Sequence, residues 1–497
     1  MLRILGSRKA LCDGIARREF LQAGGLGVLG LSLADYFRLQ EVQAAEPRGK
    51  SFGRAKACIL LYLYGAPSQL ELCDMKPSAP VEIRGELKPI RSSLPGLDVC
   101  ELMPNAAKIM DRVTVVRSMS HPYPIHGVAY ATTGVPQIEV AMELNPRDAR
   151  HWPFIGSVVD YLHQRQKKKR RHEAPDNIAL PFPFSSQRVG EVPRAGPYAA
   201  FLGGGHHPIW TQFKGEATAT TTKTLRDKKV AVKEPYMGIT PASRFELAGA
   251  TQLPADITLD RLQKRRSLLE QFEKARADLE KTAAGQQRDR FREMAYNLIG
   301  SSKVREALDL GKEPLKLRES YGMTLFGQAA LTARRLVEAG SRFVSVFWDE
   351  YGLAGSAWDT HWQHFPRLKN ELMPGFDQAF YGLIHDLDSR GLLEETLVMC
   401  ISEHGRTPKL KNNNGGGRDH WSRAYTCLFA GGGIARGKVV GKTDSRAAEV
   451  VDRPVSPKDV LATAYYLLGL DPHTILRDRT NRPLPLVDGE VVQEMLA

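Results

Sequence analysis

Short uninterrupted apolar runs, separated by segments of helical periodicity, constrain the fold of this chain more than any other feature. The runs are rich in β-branched and aromatic side chains, which is typical of strands buried on both faces of a sheet. Glycines at 340 and 391 follow two of the helical segments, where a helix would end. Strands that alternate with helices predict an α/β fold, with a mostly parallel sheet and helices on both faces. The apolar runs are Ala57–Tyr64, Val113–Val116, Phe343–Phe347, Thr396–Ile401 and Tyr425–Ala430.

The first 45 residues have the pattern of an export signal. Arg17 and Arg18 precede a glycine-rich apolar stretch, Ala23 to Ala34, which is shorter than the roughly 20 residues that span a membrane. Twin-arginine signals are addresses for bacterial export. We expect residues 1–45 to engage the twin-arginine export machinery and to be removed. The mature protein would then be periplasmic or extracellular and have no membrane span. An amphipathic N-terminal helix is the alternative.

The remainder predicts one large domain. Residues 46–56 read as a linker, and 57–497 as a catalytic-type domain with a loop-rich and helical insertion at about 160–325. Within that insertion, 175–250 favours long surface loops because it is rich in Pro, Gly and Thr. Residues 258–312 have apolar side chains at helical spacing, which favours packing helices.

Composition excludes several classes of protein. The formal net charge is +13, but part of the excess is a single basic run at 165–171, which is typical of a solvated loop. No aromatic interleaving or nucleic-acid motif accompanies that run, so we expect no nucleic-acid partner. Five cysteines follow the signal, without a C-x-x-C pair, which argues against a dense disulfide framework.

Carboxylates and imidazoles follow two of the predicted strands. Glu403 and His404 come directly after Thr396–Ile401, and an aspartate and a histidine follow Phe343–Phe347. Because parallel strands end at one edge of a sheet, these side chains are expected to meet there. Such donors suit a divalent metal ion, with zinc, manganese, calcium and magnesium all open. Any one pair is also compatible with ordinary polar loop residues. The predicted ligands are Asp359, His361, Glu403, His404 and His420, with His364 as a rival to His361.

The order of several short motifs resembles a bacterial family, the domain of unknown function 1501 family. That family is grouped with the alkaline phosphatase-like superfamily, which includes sulfatases and phosphatases, and the resemblance covers nearly the whole mature chain. It therefore implies an alkaline phosphatase-like α/β fold. Besides the twin-arginine leader, the motifs are Gly65-Ala66-Pro67-Ser68, Arg117-Ser118-Met119-Ser120-His121, Arg334 to Gly340, Trp358-Asp359-Thr360-His361, Glu403 to Pro408 and Gly417-Arg418-Asp419-His420-Trp421.

The superfamily pattern implies roles for particular positions. Glu403 and His404 occupy the place of an Asp-His ligand pair, and Ser118 and Ser120 occupy the place of the nucleophile. Two positions depart from the pattern. Pro124 stands where sulfatases have an arginine, and the first strand ends in Tyr64-Gly65 instead of a metal-binding aspartate.

The implied reaction is hydrolysis of a phosphate or sulfate ester. Ser120 would attack directly or orient a water, while His121 or His126 would pass a proton to the leaving group. Arg117, Arg406 or Arg418 would hold the anionic oxygens. The alternatives are a helix N-cap for the serine, hydrogen-bonded loop residues for the histidines and structural ion pairs for the arginines.

Besides a binder of anionic polysaccharides, which the basic charge would suit, two functions remain open from the sequence. The first is an exported metal-dependent hydrolase whose partner is an anionic ester, with a sulfated or phosphorylated carbohydrate as a candidate. The second is a non-catalytic, alkaline phosphatase-like binding or scaffold protein of the cell envelope, which the two departures favour. The metal content separates the two.

Overall fold

The computed structural model describes residues 49–124, 128–135, 145–165, 174–184, 195–225, 228–247, 302–352, 355 and 357–497. The predicted export signal and most of the predicted helical segment at 258–312 lie outside these residues. The strands are β1 Ala57–Leu63, β2 Pro89–Arg91, β3 Asp98–Cys100, β4 Val113–Met119, β5 Asn177–Leu180, β6 Ile209–Lys214, β7 Thr220–Leu225, β8 Lys228–Lys233, β9 Arg244–Leu247, β10 Phe343–Trp348, β11 Thr396–Ile401, β12 Gly405–Arg406, β13 His420–Trp421, β14 Tyr425–Ala430, β15 Lys438–Val440, β16 Lys442–Thr443, β17 Val450–Asp452, β18 Ile475–Arg477 and β19 Pro483–Pro485.

Along the chain, most helices come between strands of the central sheet. They are α1 Val81–Arg84, α2 Val128–Thr133, α3 Ile155–Arg165, α4 Ser302–Leu308, α5 Leu315–Ser320, α6 Leu325–Glu338, α7 His364–Arg367, α8 Met373–Ser389 and α9 Pro457–Leu467. A π-helical turn, Leu368–Leu372, joins α7 to α8. Short 3₁₀ turns include Gln69–Glu71 and Ala106–Arg112.

A nine-stranded mixed sheet forms the centre of the molecule, in the order β15-β4-β14-β11-β1-β10-β5-β6-β9. The middle strand, β1, runs parallel to β10 on one side and to β11 on the other. The prediction that β1, β4, β10 and β11 lie side by side and parallel is confirmed for β1, β10 and β11 and wrong for β4. β4 points the same way but is not their neighbour, because β14 runs antiparallel between β11 and β4. The carboxyl ends of β1, β4, β10 and β11 therefore share one edge.

Helices cover both faces of this sheet, which confirms the predicted α/β class. Side chains of β1 alternate between two hydrophobic clusters, as the two-residue period of a strand requires. Ile59 and Leu61 pack with α6 and α8 in one cluster. Leu60 and Tyr62 pack with α3 and α9 in the other. Burial of β1 on both sides explains why its sequence is an uninterrupted apolar run.

The segment 175–250 differs from its prediction as surface loops. β5, β6 and β9 extend the central sheet beyond β10, and β5 is buried along its whole length. The loop interpretation is therefore wrong for these strands. β5 has only four residues, and one of its two pairing partners, β10, lies far away in the chain. A short strand of this kind is recognised by that partner more than by its own composition.

None of the helices within the described residues is long and apolar enough to cross a membrane.

Candidate metal centre

Three polar side chains converge at the carboxyl edge of the sheet. The Nε2 atom of His361 lies 2.9 Å from Asp359 Oδ1 and 3.0 Å from His420 Nε2. His420 Nε2 lies 3.4 Å from Asp359 Oδ1. In the described part of the chain, these residues form a group whose ligand atoms all lie within 4.8 Å of one another. Each side chain is between 20% and 25% exposed, so the centre is accessible from solvent.

The spacing of the three ligand atoms suits a tetrahedral ion. Bonds of roughly 2.0–2.2 Å from zinc to nitrogen or oxygen place neighbouring ligand atoms about 3.3 Å apart. The observed separations of 2.9, 3.0 and 3.4 Å bracket that value. Three protein ligands leave a fourth position open, which is the arrangement of catalytic zinc sites.

Hydrogen bonds outside the centre turn both imidazoles towards it. His361 Nδ1 lies 2.6 Å from Asp419 Oδ1, and His420 Nδ1 lies 3.3 Å from the carbonyl oxygen of Pro124. Because a carboxylate and a carbonyl only accept, each neutral ring carries its proton on Nδ1 and presents a lone pair at Nε2. Two such lone pairs 3.0 Å apart beside a carboxylate repel one another unless a cation or a proton lies between them. The donor set therefore fits a divalent metal ion.

A close approach between the end of β1 and the loop after β10 places Asp359. The backbone N–H of Trp358 donates to the carbonyl of Tyr64 at 2.8 Å. Gly65 has a φ of 89°, and a Cβ at this position would lie 2.4 Å from the backbone nitrogen of Asp359. Glycine is therefore required at this turn for two reasons, its left-handed backbone and the space that it leaves.

Arg406 fixes the carboxylate of Asp359 from the buried side. Its side chain is fully buried, and Nη2 donates to Asp359 Oδ1 at 2.6 Å and to the carbonyl of Gly65. Nε donates to the carbonyl of Ala66 at 3.0 Å, and Nη1 donates to that of Arg418 at 3.2 Å. Burial lowers the pKa of Arg406, while Asp359 opposes that shift. An anionic substrate would have to compete with all these partners for the guanidinium.

A two-stranded ribbon and a glycine-rich loop bring the histidines together. β12 pairs with β13 in antiparallel fashion, with Arg406 opposite His420. In the loop before β13, a Cβ at Gly417 would lie 2.1 Å from the carbonyl oxygen of His361. This loop can pack against the segment after β10 only because position 417 has no side chain.

Glu403 and His404 lie beside the centre, outside the group of three. Glu403 Oε1 accepts a hydrogen bond of 2.7 Å from the backbone N–H of Gly65. The ring of His404 packs on that of His420, with centroids 4.4 Å apart, and its Nδ1 donates to the carbonyl of Gly405 at 2.8 Å. The structure thus brings three of the five predicted ligands together and places the other two next to them.

The predicted catalytic segment after β4 reaches the same edge. The backbone N–H of Ser120 donates to the carbonyl of Val455 at 2.9 Å. His121 Nε2 lies 2.7 Å from the carbonyl oxygen of Glu403, and His121 Nδ1 accepts from the N–H of Tyr123 at 3.2 Å. Burial lowers the pKa of His121, although Glu403 opposes that shift. Both ring nitrogens of His121 are therefore engaged by the protein.

Arg117, also predicted to hold an anion, is bound to protein groups. Its Nε donates to the carbonyl of Cys73 at 2.8 Å and lies 3.7 Å from Asp74 Oδ1. His126 lies outside the described residues.

A second cluster, which we call the buried ion network, lies next to the centre and consists of Glu71, His364 and Arg418. Arg418 Nη2 lies 2.5 Å from Glu71 Oε1, and His364 Nε2 lies 3.3 Å from Glu71 Oε2, with all three side chains at most 1% exposed. Burial raises the pKa of Glu71, but Arg418 and His364 outweigh burial and hold it at about 2. His364 Nδ1 also bonds to Thr360 Oγ1 at 2.7 Å. The rival ligand His364 is therefore part of this network.

Sequence reasoning assigned no role to Asp419 or Glu71. Asp419 directly precedes His420 in the sequence, and this adjacency is the signal that indicates it. Glu71 carried no such signal, because its partners lie roughly 300 residues away in the chain.

A family model described as "Protein of unknown function (DUF1501)" matches residues 55–496. The chain belongs to this family. The resemblance noted in the sequence is thereby confirmed, and the centre described above lies within the matched region. No curated protein matches the chain.

Solved structures similar to this chain include hydrolases of sulfate and phosphonate esters. One is the sulfatase PsFucS1 from Pseudoalteromonas sp., with 14% identity, 93% of this chain and 75% of that chain covered, and a TM-score of 0.35. The phosphonate monoester hydrolase SpPMH from Silicibacter pomeroyi has 11% identity, coverage of 88% and 76%, and a TM-score of 0.31. The lipoteichoic acid synthase LtaP from Listeria monocytogenes has 10% identity, coverage of 91% and 79%, and a TM-score of 0.33. Similarity this distant carries no argument about activity.

Proposed function

We propose that this protein is an exported, metal-dependent hydrolase of phosphate or sulfate esters. The convergence of Asp359, His361 and His420 carries the proposal. Two imidazole nitrogens and one carboxylate oxygen at metal-ligand spacing, partly open to solvent, form a donor set that suits catalysis more than structural support. A divalent cation at this centre supplies Lewis-acid polarisation of an ester oxygen.

The protein's own residues prepare this centre. Arg406 holds Asp359 in place and balances part of its charge, so the carboxylate keeps its position without a bound ion. Glu403 and His404 form one wall of the centre, since the ring of His404 packs on that of His420. We expect this wall to orient His420, or to supply a further ligand when an ion binds.

The nucleophile and the proton carrier come from the segment after β4. Ser120 would attack the ester or orient a water, and its neighbour His121 reaches the backbone of Glu403. Proton transfer through His121 requires one of its two ring contacts to open, because both nitrogens are engaged. The role of His126 stays a prediction.

The substrate would carry an anionic ester group. After removal of residues 1–45, which hold six Lys/Arg and four Asp/Glu, the formal net charge of +13 falls to +11, and a positive charge favours the approach of anions. A sulfated or phosphorylated carbohydrate suits the expected location outside the cytoplasm. Within the described structure, Arg117 and Arg406 are bound to protein groups, so the anion would be held mainly by the metal ion.

Those arginine contacts also favour a second candidate, a binding or scaffold protein of the envelope that has lost turnover. The turn after β1 points in the same direction, since Gly65 offers no carboxylate for a second ion. Such a protein would bind one metal ion, or none, and hydrolyse nothing.

An ester panel tests the two candidates. Purified protein loaded with zinc or manganese is assayed against aryl sulfates, phosphomonoesters and phosphodiesters. The comparison includes the Ser120→Ala and His420→Ala variants and an exposed control, Glu394→Ala. We expect hydrolysis of one ester class that is abolished in His420→Ala and unchanged in Glu394→Ala. Loss in Ser120→Ala as well would indicate the serine as nucleophile. No hydrolysis with any metal or ester supports the scaffold.

Export has a separate test. Replacing Arg17 and Arg18 by lysine should retain the protein in the cytoplasm, with the precursor uncleaved. Fractionation followed by immunoblotting measures this. Unchanged export would refute the twin-arginine assignment without affecting the metal centre.

A further inference from the structure

The loop that carries His420 also carries a carboxylate aimed at the other histidine of the centre. Asp419 Oδ1 lies 2.6 Å from His361 Nδ1, on the side of the ring opposite the Nε2 that faces Asp359 and His420. The same oxygen lies 2.5 Å from Lys411 Nζ. The imidazole of His361 thus lies between the carboxylate of Asp419 on its Nδ1 side and the candidate metal position on its Nε2 side.

We propose that Asp419 is the positioning residue for His361, and that it sets the affinity of the centre for its metal ion. The inference rests on the metal centre proposed above. Asp419 would act in two ways. It fixes the ring orientation of His361, and by accepting the Nδ1 proton it keeps Nε2 available as a lone pair. Outer carboxylates of this kind raise the basicity of a ligating imidazole, and their loss typically lowers metal affinity 10- to 100-fold.

The backbone around Asp419 supports this role without depending on its side chain. The N–H of Asp419 bonds to Thr407 Oγ1 at 3.0 Å, and its carbonyl accepts from the N–H of Thr407 at 2.8 Å. The side chain is 47% exposed, so removing it leaves no buried cavity. A substitution at 419 therefore tests the carboxylate rather than the loop.

Removal of Lys411 should change the metal affinity in the opposite direction to removal of Asp419. Its Nζ lies on the same carboxylate oxygen as His361 Nδ1. Removing its positive charge leaves the bond between Asp419 and His361 intact and reduces the repulsion of an incoming cation. If the loop merely needed its ion pair, loss of either partner would weaken metal binding. If Asp419 positions His361, the two losses act in opposite directions.

The experiment measures the affinity for zinc by titration calorimetry on the full mature chain, and repeats it with manganese. We expect Asp419→Ala to weaken zinc binding by about 10- to 100-fold, and Asp419→Asn to weaken it less, because the amide oxygen still accepts the Nδ1 proton. Lys411→Ala should bind zinc at least as tightly as the wild type. Glu394→Ala is the matched control, since this exposed carboxylate pairs with Arg54 and Arg436 away from the centre.

A second readout does not involve metal. In the metal-free protein, ¹⁵N chemical shifts of the His361 ring report which nitrogen carries the proton. The wild type and Glu394→Ala should show the proton on Nδ1, and Asp419→Ala should lose that preference. Equal zinc affinity in wild type and Asp419→Ala, or an unchanged ring tautomer, would overturn the positioning role while the centre itself stands. A wild type that binds neither zinc nor manganese would overturn the metal centre and, with it, the effect assigned to Asp419.

Discussion

Two neighbouring clusters of this molecule use the same types of side chain for opposite purposes. The candidate metal centre contains Asp359, His361 and His420, which are a fifth to a quarter exposed. The buried ion network contains Glu71, His364 and Arg418, which are almost fully buried. His361 and His364 lie three residues apart in the sequence, and Arg418 lies two residues before His420.

The difference lies in which charges are satisfied by the protein itself. In the buried ion network a carboxylate is paired with a guanidinium, and Arg418 also donates to the carbonyls of Ile83 and Thr407. In the centre, two imidazole lone pairs and a carboxylate face one another, and an added cation would relieve their repulsion. Buried side chains whose opposite charges are paired therefore support the fold, whereas partly exposed side chains with an excess of donor atoms form a site for a cation.

The largest effect is expected from Glu71→Ala. The substitution leaves the charge of Arg418 buried and unpaired, which typically costs about 3–5 kcal/mol in the free energy of unfolding. Urea unfolding at pH 7 measures it. Glu394→Ala, which removes a carboxylate that is 54% exposed, should cost at most about 1 kcal/mol. Similar small losses in both variants would mean that the buried ion network does not support the fold.

A slightly smaller effect is expected from Gly65→Ala, which changes the turn after β1 that places Asp359. The new Cβ would lie 2.4 Å from the backbone nitrogen of Asp359, at a φ of 89°. Backbone strain and overpacking together should cost about 2–5 kcal/mol and weaken zinc binding. Gly391→Ala is the matched control, because its φ is 72° and its surroundings are open. If both variants lose the same stability, close approach at Gly65 does not matter.

The two histidines should separate stability from metal binding. His364→Ala removes a fully buried ring that is hydrogen-bonded to Thr360 and lies 3.3 Å from Glu71 Oε2, and should cost on the order of 3 kcal/mol. His361→Ala should change the stability of the metal-free protein little, but weaken zinc binding by more than the roughly 100-fold attributed to an outer-shell partner. Thermal unfolding and zinc titration of both variants measure the pair. The contrast fails if the two variants give the same profile.

The smallest effect is a linkage between zinc and stability. An ion that binds only the folded state at 100 times its dissociation constant adds about 2.7 kcal/mol to the free energy of unfolding. We expect this gain in the wild type and in Glu394→Ala, and its absence in His420→Ala. Thermal unfolding with and without a chelator measures it. A gain that persists in His420→Ala would place the ion elsewhere.

Part of the fold followed from local patterns in the sequence. The runs that became β1, β10 and β11 are buried on both faces, so their side chains have no polar alternation, and burial of this kind is visible in the residues themselves. The position of β14 between β11 and β4 was not visible. Nor were β5, β6 and β9, because β5 joins the sheet through β10, which is distant in the chain, and β6 and β9 in turn pair onto β5.

The candidate site was likewise predictable from the sequence only in part. The sequence alone indicated which residues are chemically able to bind a metal ion, since carboxylates and imidazoles followed strands that end at one edge. Only the tertiary structure decided that Asp359, His361 and His420 meet, that His364 joins Glu71 instead, and that Asp419 lies behind His361. The reason is physical: the side-chain type fixes what a residue can bind, whereas the approach of loops far apart in the chain fixes what it reaches. Glycines at 65 and 417 permit that approach, and their effect depends on a neighbour that the local sequence does not contain.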